Sequence, residues 1–437
     1  MTNNLRLFCV GDAFISKRLS TNTDTDFTSL IDMVRTADAA FVNLETSIHA
    51  FEGYPIGEGK SDAYAQADPY IAEELAWAGF GLVSRANNHS MDYSAEGLMA
   101  TSDYLDAAGI THAGAGADLG EARSPAYLET SEGIVSLVSA TTYYLGHASA
   151  SRKDVPGRPG VNPLRMDTYY DLSPQDYETI RKVASGLGVL SPSAPRDQKE
   201  FTFNRETRFR LSDVTKVTRT ARKLDWDGNL KAVREASRLS DFTIFTLHDH
   251  YASETAPPGF KPREAPLEQV REFAHASIES GADVFVGHGP HVLRGLEIYR
   301  GKPIFYSLGN FVFQSTLITR QPSDLFERWG LGDDASTADL YEKREAPPNH
   351  FFDDPEYWFS VAAECQYSGK ALKEVKLHPL TLDYDARKPL KEQRTKAGIP
   401  RLAKGSEADK IMKEMIRLSE PYGTKIVAKE RFAQVEL

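Results

Sequence analysis

The chain has 437 residues, 41% of them hydrophobic, and carries a net charge of −11. Its length exceeds what one compact core usually holds, and its composition is that of an ordinary globular protein. The acidic balance argues against nucleic-acid binding, the two cysteines provide no disulfide framework, and no run of about 18 apolar residues predicts a membrane span. Because the N-terminus also lacks a signal-peptide pattern, we expect a cytoplasmic protein without a nucleic-acid or membrane partner.

Apolar runs of strand length recur along the chain, and most of them follow a stretch with helical periodicity. Strands are predicted at residues 5–10, 39–44, 80–86, 134–140, 241–247 and 283–287. The sequence LEIYRGKPIFYSLGNFVF then predicts a hairpin with its turn at Arg300–Pro303, and two more strands follow in YWFSVAAECQY and LKEVKLHPLTL. Strands that alternate with helices predict an α/β fold with crossover connections.

Two segments depart from this rhythm, and a C-terminal segment follows, within what is predicted to be one domain over residues 1–437. Residues 146–225 are rich in Arg, Ser, Pro and Thr and predict an insertion, whereas residues 316–355 predict a partly helical excursion. Residues 400–437 predict a C-terminal helix and tail. The stretch 151–240 holds 18 basic and 12 acidic residues, which indicates either a solvated surface or a basic rim that attracts an anionic substrate.

Side chains that can bind metals follow five of the predicted strands. They are Asp12 after the first, Asn43 and Glu45 at the second, Asn88, His89 and Asp92 after the third, His248 and His250 after the fifth, and His288 and His291 after the sixth. Each residue alone has an ordinary explanation; Asp12, for example, could cap a helix. Because the carboxyl ends of strands meet at one edge of an open α/β sheet, we expect the five segments to converge. Mixed Asp, Glu, Asn and His donors suit Mn²⁺, Fe²⁺ or Zn²⁺, and their number is enough for one or two ions.

The order of several short motifs resembles that of a known family. The motifs are VGD at 10–12, NLE at 43–45, ANNHSMD at 86–92, GHGPHV at 287–292 and YSLGNFVF at 306–313, with RPGVNPL and RLSEPYGTKI as further matches. Together they resemble the CapA family, the poly-γ-glutamate and capsule biosynthesis branch of the calcineurin-like metallophosphoesterase superfamily. The resemblance extends from residue 5 to residue 426.

The resemblance implies a four-layer α/β/β/α sandwich of the metallophosphatase type, with insertions and a divalent metal centre at one end. The metal ligands that it implies are Asp12, Asn43, Glu45, Asn88, His248, His288 and His291. It also implies that His89 is a general acid and that Asp92 orients it. Two departures argue against ordinary phosphoester hydrolysis, because Asp12-Ala13-Phe14 replaces the usual Asp-x-His and Asn43-Leu44-Glu45 replaces the usual Gly-Asp.

Soluble proteins that resemble this family epimerise the Cα of a residue in a ribosomally made peptide, notably the C-terminal Trp of a lasso-peptide precursor. The resemblance therefore implies a metal-dependent peptide epimerase whose partner is a peptide substrate, or a precursor peptide with its leader. In that reaction the metal centre would stabilise enolate charge, while His89 and His250 remove and return a proton. The residues that would hold a terminal carboxylate are Arg158, Arg165 and Arg294. The alternatives are a metal-dependent hydrolase of phosphoesters or amides, a CapA-like poly-γ-glutamate biosynthesis protein, and a binding protein without catalytic activity.

Overall fold

The computed structural model describes residues 4–56, 63–190, 199–204, 207–253, 255–346, 353–385, 388, 390–393 and 395–437. The chain forms two compact units, a larger one made of Met1–Pro163 with Gly228–Leu437, and a smaller one made of Leu164–Asp227. The insertion predicted at 146–225 thus begins earlier than the smaller unit. Its residues 191–198 and 205–206 lie outside the described residues, as do residues 347–352 of the predicted excursion.

Ten strands form the first sheet of the larger unit. In spatial order, eight of them are Ile426–Ala428, Ala433–Val435, Ala371–Thr381, Phe359–Ser368, Arg6–Phe14, Ala39–Leu44, Leu82–Ser84 and Thr111–Ala113; Asn310–Phe313 also pairs with Arg6–Phe14, and Arg401–Leu402 with Ala371–Thr381. The strands Arg6–Phe14, Ala39–Leu44 and Leu82–Ser84 are parallel. Their carboxyl ends therefore share one edge of the sheet.

Six strands form the second sheet of the same unit. Their order is Leu293–Tyr299, Lys302–Leu308, Val284–His288, Phe242–His248, Gly133–Thr141 and Ala126–Thr130, with four parallel strands in the centre and an antiparallel strand at each edge. The predicted hairpin is confirmed, because Tyr299 pairs with Lys302 across a turn of Arg300 and Gly301. Both turn residues have a positive φ, 51° and 74°, as a two-residue hairpin turn of this kind requires.

Helices and short strands lie between the strands of the two sheets along the chain. The α-helices are Thr25–Arg35, Tyr70–Ala78, Ser94–Ala107, Leu119–Arg123, Lys223–Leu239, Glu268–Glu279, Ser323–Arg328, Thr337–Glu345, Leu390–Gln393 and Gly405–Ser419, and the 3₁₀ helices are Pro262–Glu264, Pro355–Trp358 and Glu420–Tyr422. The short strand Ser47–Ile48 pairs with Gln66–Ala67, and Ala115–Gly116 pairs with Gly160–Val161. None of the helices in the described part of the chain is long and apolar enough to cross a bilayer.

The two sheets of the larger unit pack face to face. Side chains alternate along a strand, so Leu7 and Cys9 of the first sheet enter a core that they share with Val284 of the second. The intervening Phe8 points to the opposite face of the first sheet, where it packs in a separate cluster with Phe27 of the first helix. The first sheet is therefore covered by the second sheet on one face and by helices on the other.

A helix also covers the outer face of the second sheet. The ring of Phe273, in the helix Glu268–Glu279, lies 5.2 Å from the ring of Phe245 in the sheet. The larger unit is therefore a four-layer α/β/β/α sandwich of the metallophosphatase type. This confirms the fold class that the sequence predicted.

In its described residues, the smaller unit is a four-stranded sheet with one helix. Its strands are, in spatial order, Glu200–Phe203, Thr207–Leu211, Met166–Leu172 and Lys216–Ala221, and its helix is Pro174–Gly186. Tyr177 of the helix and Phe201 of the sheet contribute to a separate hydrophobic core. Where the chain leaves and re-enters the larger unit, Asn162 Nδ2 donates to Asn229 Oδ1 at 2.7 Å, and Asn229 Nδ2 donates to the carbonyl oxygen of Pro163 at 3.1 Å.

A close backbone approach fixes the end of the first strand. Gly11 lies against Gly309, and a Cβ atom at Gly11 would come within 1.8 Å of the Gly309 carbonyl oxygen. The backbone N–H of Asp12 donates to the same carbonyl at 3.0 Å. Because only a glycine fits at position 11, the backbone holds Asp12 at this edge of the sheet.

Candidate metal centre

Seven donor side chains converge at the carboxyl ends of the parallel strands. They are Asp12, Glu45, Asn88, His248, His250, His288 and His291, of which Asn88 and His250 are half-buried and the others are buried. Their carboxylates and imidazoles form three overlapping groups, which are Asp12 with His248 and His288, Glu45 with His248 and His250, and Asp12 with Glu45 and His291. Within each group the donor atoms lie within 4.8 Å of one another.

The inner donors are the most deeply buried. His248 Nδ1 lies 2.9 Å from His288 Nδ1, and Asp12 Oδ1 lies 3.7 Å and 3.6 Å from these two nitrogens. Asp12 is oriented by two hydrogen bonds, which come from the backbone N–H of Gly289 to Oδ2 at 2.9 Å and from Asn43 Nδ2 to Oδ1 at 2.8 Å. The two nitrogens and the carboxylate oxygen therefore surround one common space.

The outer donors lie around Glu45. Its Oε1 atom is 3.5 Å from His291 Nε2 and 3.9 Å from His250 Nε2. Asn88 Oδ1 is 3.2 Å from the same nitrogen of His250 and 2.7 Å from His248 Nε2. His248 therefore has one ring nitrogen among the inner donors and the other among the outer donors.

Hydrogen bonds behind the centre set the tautomers of two histidines. Thr246 Oγ1 donates to the carbonyl of Val286 at 2.9 Å, so it accepts from His288 Nε2 at 2.6 Å, and the Nδ1 lone pair of His288 faces the inner donors. Asn310 Oδ1 accepts from His291 Nδ1 at 2.8 Å, which directs the Nε2 lone pair of His291 at the outer donors. Both imidazoles thus present a lone pair to the centre, as metal ligands do.

Burial keeps these imidazoles neutral. It lowers the pKa of His288 to about 3 and the pKa of His291 to about 4. It also lowers the pKa values of His248 and His250 well below their ordinary value, and the neighbouring histidines lower both further. Because only a neutral imidazole can donate a lone pair to a metal ion, all four side chains have the protonation state that a ligand needs at pH 7.

Glu45 shows that a cation fits this space. Both of its carboxylate oxygens are buried without a hydrogen-bond partner, and its side chain is 0% exposed. Burial, with a smaller contribution from the charge of Asp12, raises the pKa of Glu45 well above its ordinary value, and burial raises the pKa of Asp12 to about 7. Two such carboxylates beside neutral imidazoles are compatible with a divalent cation, because its charge would compensate theirs and its coordination sites would accept the orphaned oxygens.

A histidine–aspartate pair lies beside the donors. His89 Nδ1 is 2.7 Å from Asp92 Oδ2, which also accepts the backbone N–H of Ala65 at 2.6 Å. The His89 ring meets the ring of Phe14 edge-on at a centroid distance of 5.2 Å, and His89 is close enough to Asp12 to lower the pKa of that carboxyl. Asp92 therefore fixes one nitrogen of His89 and leaves Nε2 as the atom available for proton transfer.

The three arginines predicted to hold a carboxylate have different surroundings. Arg165 pairs with Asp225 within the smaller unit through Nε and Nη2, at 2.6 Å and 2.8 Å. Arg294 is 1% exposed and forms an ion pair with Asp249 at 3.2 Å. Arg158 is exposed and donates to a nearby backbone carbonyl at 3.1 Å. Two of the three guanidinium groups are thus already paired with a carboxylate of the chain itself.

Asn43, which was predicted as a ligand, is oriented as a hydrogen-bond donor. Its Nδ2 faces Asp12 and lies 3.4 Å from His248 Nδ1, whereas its Oδ1 accepts from Asn87 Nδ2 at 3.3 Å. In this orientation the side chain places the Asp12 carboxylate and turns its own oxygen away from the inner donors.

Three residues near the centre were not identified from the sequence as part of it. Thr246 precedes His248 by two positions on one strand, so the alternation of side chains could have indicated that both face the centre. Asn310 lies in the YSLGNFVF motif. Tyr143 follows the strand Gly133–Thr141, and its ring packs 5.2 Å from the ring of His250. No metal-binding residue type marks the end of that strand, so the sequence carries no signal for this segment.

The fold and the donor set together define a metallophosphatase-type protein with a candidate metal centre. The model of the family described as bacterial capsule synthesis protein PGA_cap matches residues 6–315, and the chain belongs to this family. The uncharacterized protein y4sH of Sinorhizobium fredii is 34% identical over 100% of this chain and 94% of its own length. The PGA biosynthesis protein CapA of Bacillus subtilis is 23% identical over 77% of this chain and 72% of its own length. A solved structure from Staphylococcus aureus, described as a 5′-nucleotidase, gives a TM-score of 0.37 at 10% identity over 94% of this chain and 58% of that chain.

Proposed function

We propose that this chain is a metal-dependent enzyme that inverts a Cα centre in a peptide by removing and returning a proton. The observation that supports this proposal is the His89–Asp92 pair, which lies beside the converging donors with its Nε2 atom available and with the apolar ring of Phe14 against it. An imidazole in that position can carry a proton, and the aromatic ring keeps water away from one side of it.

The residues of the chain divide the work of such a reaction. The donor side chains would hold a divalent ion, which would supply positive charge next to a carbonyl oxygen adjacent to the Cα atom. His89 exchanges a proton at Nε2, and Asp92 stabilises the imidazolium form and holds the ring in place. Tyr143 is 43% exposed beside His250, where it offers an aromatic surface to the substrate.

The substrate class that we propose is a peptide, or a precursor peptide with its leader. The relative from Bacillus subtilis is named a PGA biosynthesis protein, so a role in polyamide chemistry has a precedent in the family. We also propose that the reaction takes place in the cytoplasm, since Cys9 and Cys365 are both buried free thiols, as is common in a reducing compartment.

A second candidate is hydrolysis of an amide or a phosphoester by the same centre. It is favoured by the position of His250, whose Nε2 lies among the outer donors at 3.2 Å from Asn88 Oδ1. Inversion with two bases needs a second proton carrier in addition to His89, whereas hydrolysis needs one group that protonates the leaving atom. His250 can serve as that second carrier only if it does not bind the metal.

Isotope incorporation distinguishes the two reactions. The protein is loaded with Mn²⁺ and incubated in D₂O with a precursor peptide ending in Trp, with a poly-γ-glutamate oligomer, and with a generic phosphodiester. Inversion adds one deuterium to the peptide without cleaving it, whereas hydrolysis releases fragments. The variant His89→Ala should lose the activity, and His147→Ala serves as the control because His147 is not among the converging donors. Phosphodiester or amide turnover without any deuterium in intact peptide would overturn the epimerase proposal.

A further inference from the structure

The predicted excursion at 316–355 contacts the short segment that precedes the strand Gln66–Ala67. Gln321, in this excursion, forms two hydrogen bonds with the backbone of Tyr64. Its Oε1 atom accepts the backbone N–H of Tyr64 at 3.1 Å, and its Nε2 atom donates to the Tyr64 carbonyl oxygen at 3.1 Å. One side-chain amide thus holds both polar backbone groups of a single residue, as a partner residue does in an antiparallel ladder.

Further contacts hold Gln321 and Tyr64 in place. Gln321 Nε2 also donates to the hydroxyl of Tyr341 at 3.2 Å, and that hydroxyl donates to the carbonyl oxygen of Ile318 at 2.8 Å. The hydroxyl of Tyr64 donates to Asp324 Oδ2 at 2.5 Å, and Tyr64 is 2% exposed. Polar groups from both described helices of the excursion therefore converge on one buried backbone residue.

The peptide bond between Tyr64 and Ala65 transmits this position to Asp92. Its carbonyl oxygen is the one that Gln321 holds, and its N–H, which belongs to Ala65, donates to Asp92 Oδ2 at 2.6 Å. Because a peptide unit is planar, a side chain that fixes the direction of the carbonyl also fixes the direction of this N–H. The orientation of the Asp92 carboxylate therefore depends on the contact between Gln321 and Tyr64.

Asp92 has few other contacts that could hold its carboxylate. Its Oδ2 atom lies 2.7 Å from His89 Nδ1, and its Oδ1 atom is buried without a hydrogen-bond partner among the described residues. Within the described part of the chain, the Ala65 N–H is thus the group besides His89 that orients this carboxylate. Movement of the Ala65 N–H would move Asp92 and, with it, the imidazole of His89.

We propose that Gln321 is a positioning residue for His89, which it orients through the backbone of Tyr64 and Ala65 and the carboxylate of Asp92. The proposal rests on the proposed role of His89 in proton transfer, and it gives the excursion a part in that reaction. A proton carrier that is displaced from its productive geometry reacts more slowly, even when the substrate still binds.

Gln321→Met tests the positioning role, because methionine has a similar length and can form neither hydrogen bond with Tyr64. Gln434→Met is the matched control, since Gln434 donates to Glu374 in another part of the first sheet. With a peptide ending in Trp as the substrate, we expect kcat to fall about tenfold to a hundredfold in Gln321→Met while KM stays unchanged. In a His89→Ala background, Gln321→Met should cause no further loss, because its effect passes through His89.

The ring of His89 provides a readout that needs no substrate. Protein labelled with ¹³C- and ¹⁵N-histidine and loaded with Zn²⁺ is measured by nuclear magnetic resonance, and the His89 ring resonances are identified by their loss in His89→Ala. We expect Gln321→Met to shift or split these resonances and Gln434→Met to leave them unchanged. If Gln321→Met is poorly folded by circular dichroism, Gln321→Glu is measured instead, since a carboxylate can accept the Tyr64 N–H but cannot donate to the Tyr64 carbonyl.

A purely structural role for Gln321 predicts a different result. It lowers the stability of the Gln321 variant and leaves both kcat and the His89 ring unchanged. Unchanged His89 ring resonances in the folded Gln321 variant would overturn the proposal, and so would an equal loss of kcat with and without His89. If the wild type does not act on the peptide, the proposed function fails, and the ring resonances still decide whether Gln321 positions His89.

Discussion

Replacing Arg294 tests whether it braces the fold or binds the substrate. Its guanidinium group pairs with Asp249 at 3.2 Å and donates to the carbonyls of Arg263 and Tyr251, at 2.9 Å and 2.7 Å. The side chain is 1% exposed, so the substitution Arg294→Met leaves Asp249 buried without its cationic partner. We expect the variant to be strongly destabilised, because an uncompensated buried charge is costly.

The expected size follows from this geometry. Breaking one buried ion pair typically costs about 3–5 kcal/mol, which is roughly a hundredfold to several-thousandfold change in the folding equilibrium constant. Removing the charge of the partner as well, in Arg294→Met with Asp249→Asn, should recover most of the loss, because the double variant leaves no buried charge. Arg158→Met is the matched control, and its exposed side chain should change stability by no more than about 0.5 kcal/mol.

Urea denaturation at pH 7, followed by circular dichroism, measures the four free energies of unfolding. If Arg294 braces the fold, Arg294→Met loses much of the free energy of unfolding. The double variant then loses less than the two single variants lose in total. A substrate-binding role gives a nearly unchanged midpoint and a raised KM. Loss of less than about 1 kcal/mol, or simple additivity of the two substitutions, would refute the inference that Arg294 is committed to Asp249.

Three further predictions follow from the fold and the site. Gly11→Ala should lower the free energy of unfolding by at least about 1–3 kcal/mol, because its Cβ would lie 1.8 Å from the Gly309 carbonyl oxygen. Gly186→Ala is the control and should leave stability unchanged, because its Cβ would have no atom within 4 Å. Equal urea midpoints for the two variants would contradict this prediction. Burial lowers the pKa of His49 from 6.5 to about 4, so between these pH values the unfolded chain binds a proton that the folded chain does not. The free energy of unfolding should therefore fall as the pH falls through this range. In denaturation measured at several pH values, His49→Phe should show a weaker pH dependence. His89→Ala should lower kcat by about 10²–10⁴ while manganese content stays unchanged, and parallel loss of the metal would argue for a structural role.

The sequence was sufficient to predict the fold class. Strands predicted at 39–44 and 241–247 occur as Ala39–Leu44 and Phe242–His248, because both are buried parallel strands that consist mainly of apolar residues. The strand predicted at 80–86 is shorter, at Leu82–Ser84, since the chain bends away toward the donor Asn88. Runs of apolar residues thus locate strands well, but their ends depend on what each loop has to position.

The candidate site was less accessible from the sequence. His248 and His250 were expected to converge with the other donors, and their rings lie 4.8 Å apart. The partners of the arginines could not be predicted, because Asp225 is 60 positions from Arg165 and Asp249 is 45 positions from Arg294. The sequence shows that an arginine can bind a carboxylate. Only the fold determines whether a carboxylate of the same chain is already paired with it.

The asparagine clasp at the root of the smaller unit bears on how the family can diversify. Asn162 precedes the smaller unit and Asn229 follows it, and both belong to the larger unit. The 2.7 Å hydrogen bond from Asn162 Nδ2 to Asn229 Oδ1 joins the two ends of the inserted segment. Bringing the ends of an inserted segment together costs only slightly more entropy when the segment grows longer, since the cost rises with the logarithm of its length. The smaller unit could therefore be exchanged at this point, in evolution or by design, for a segment of different length. The larger unit would keep its own hydrophobic core.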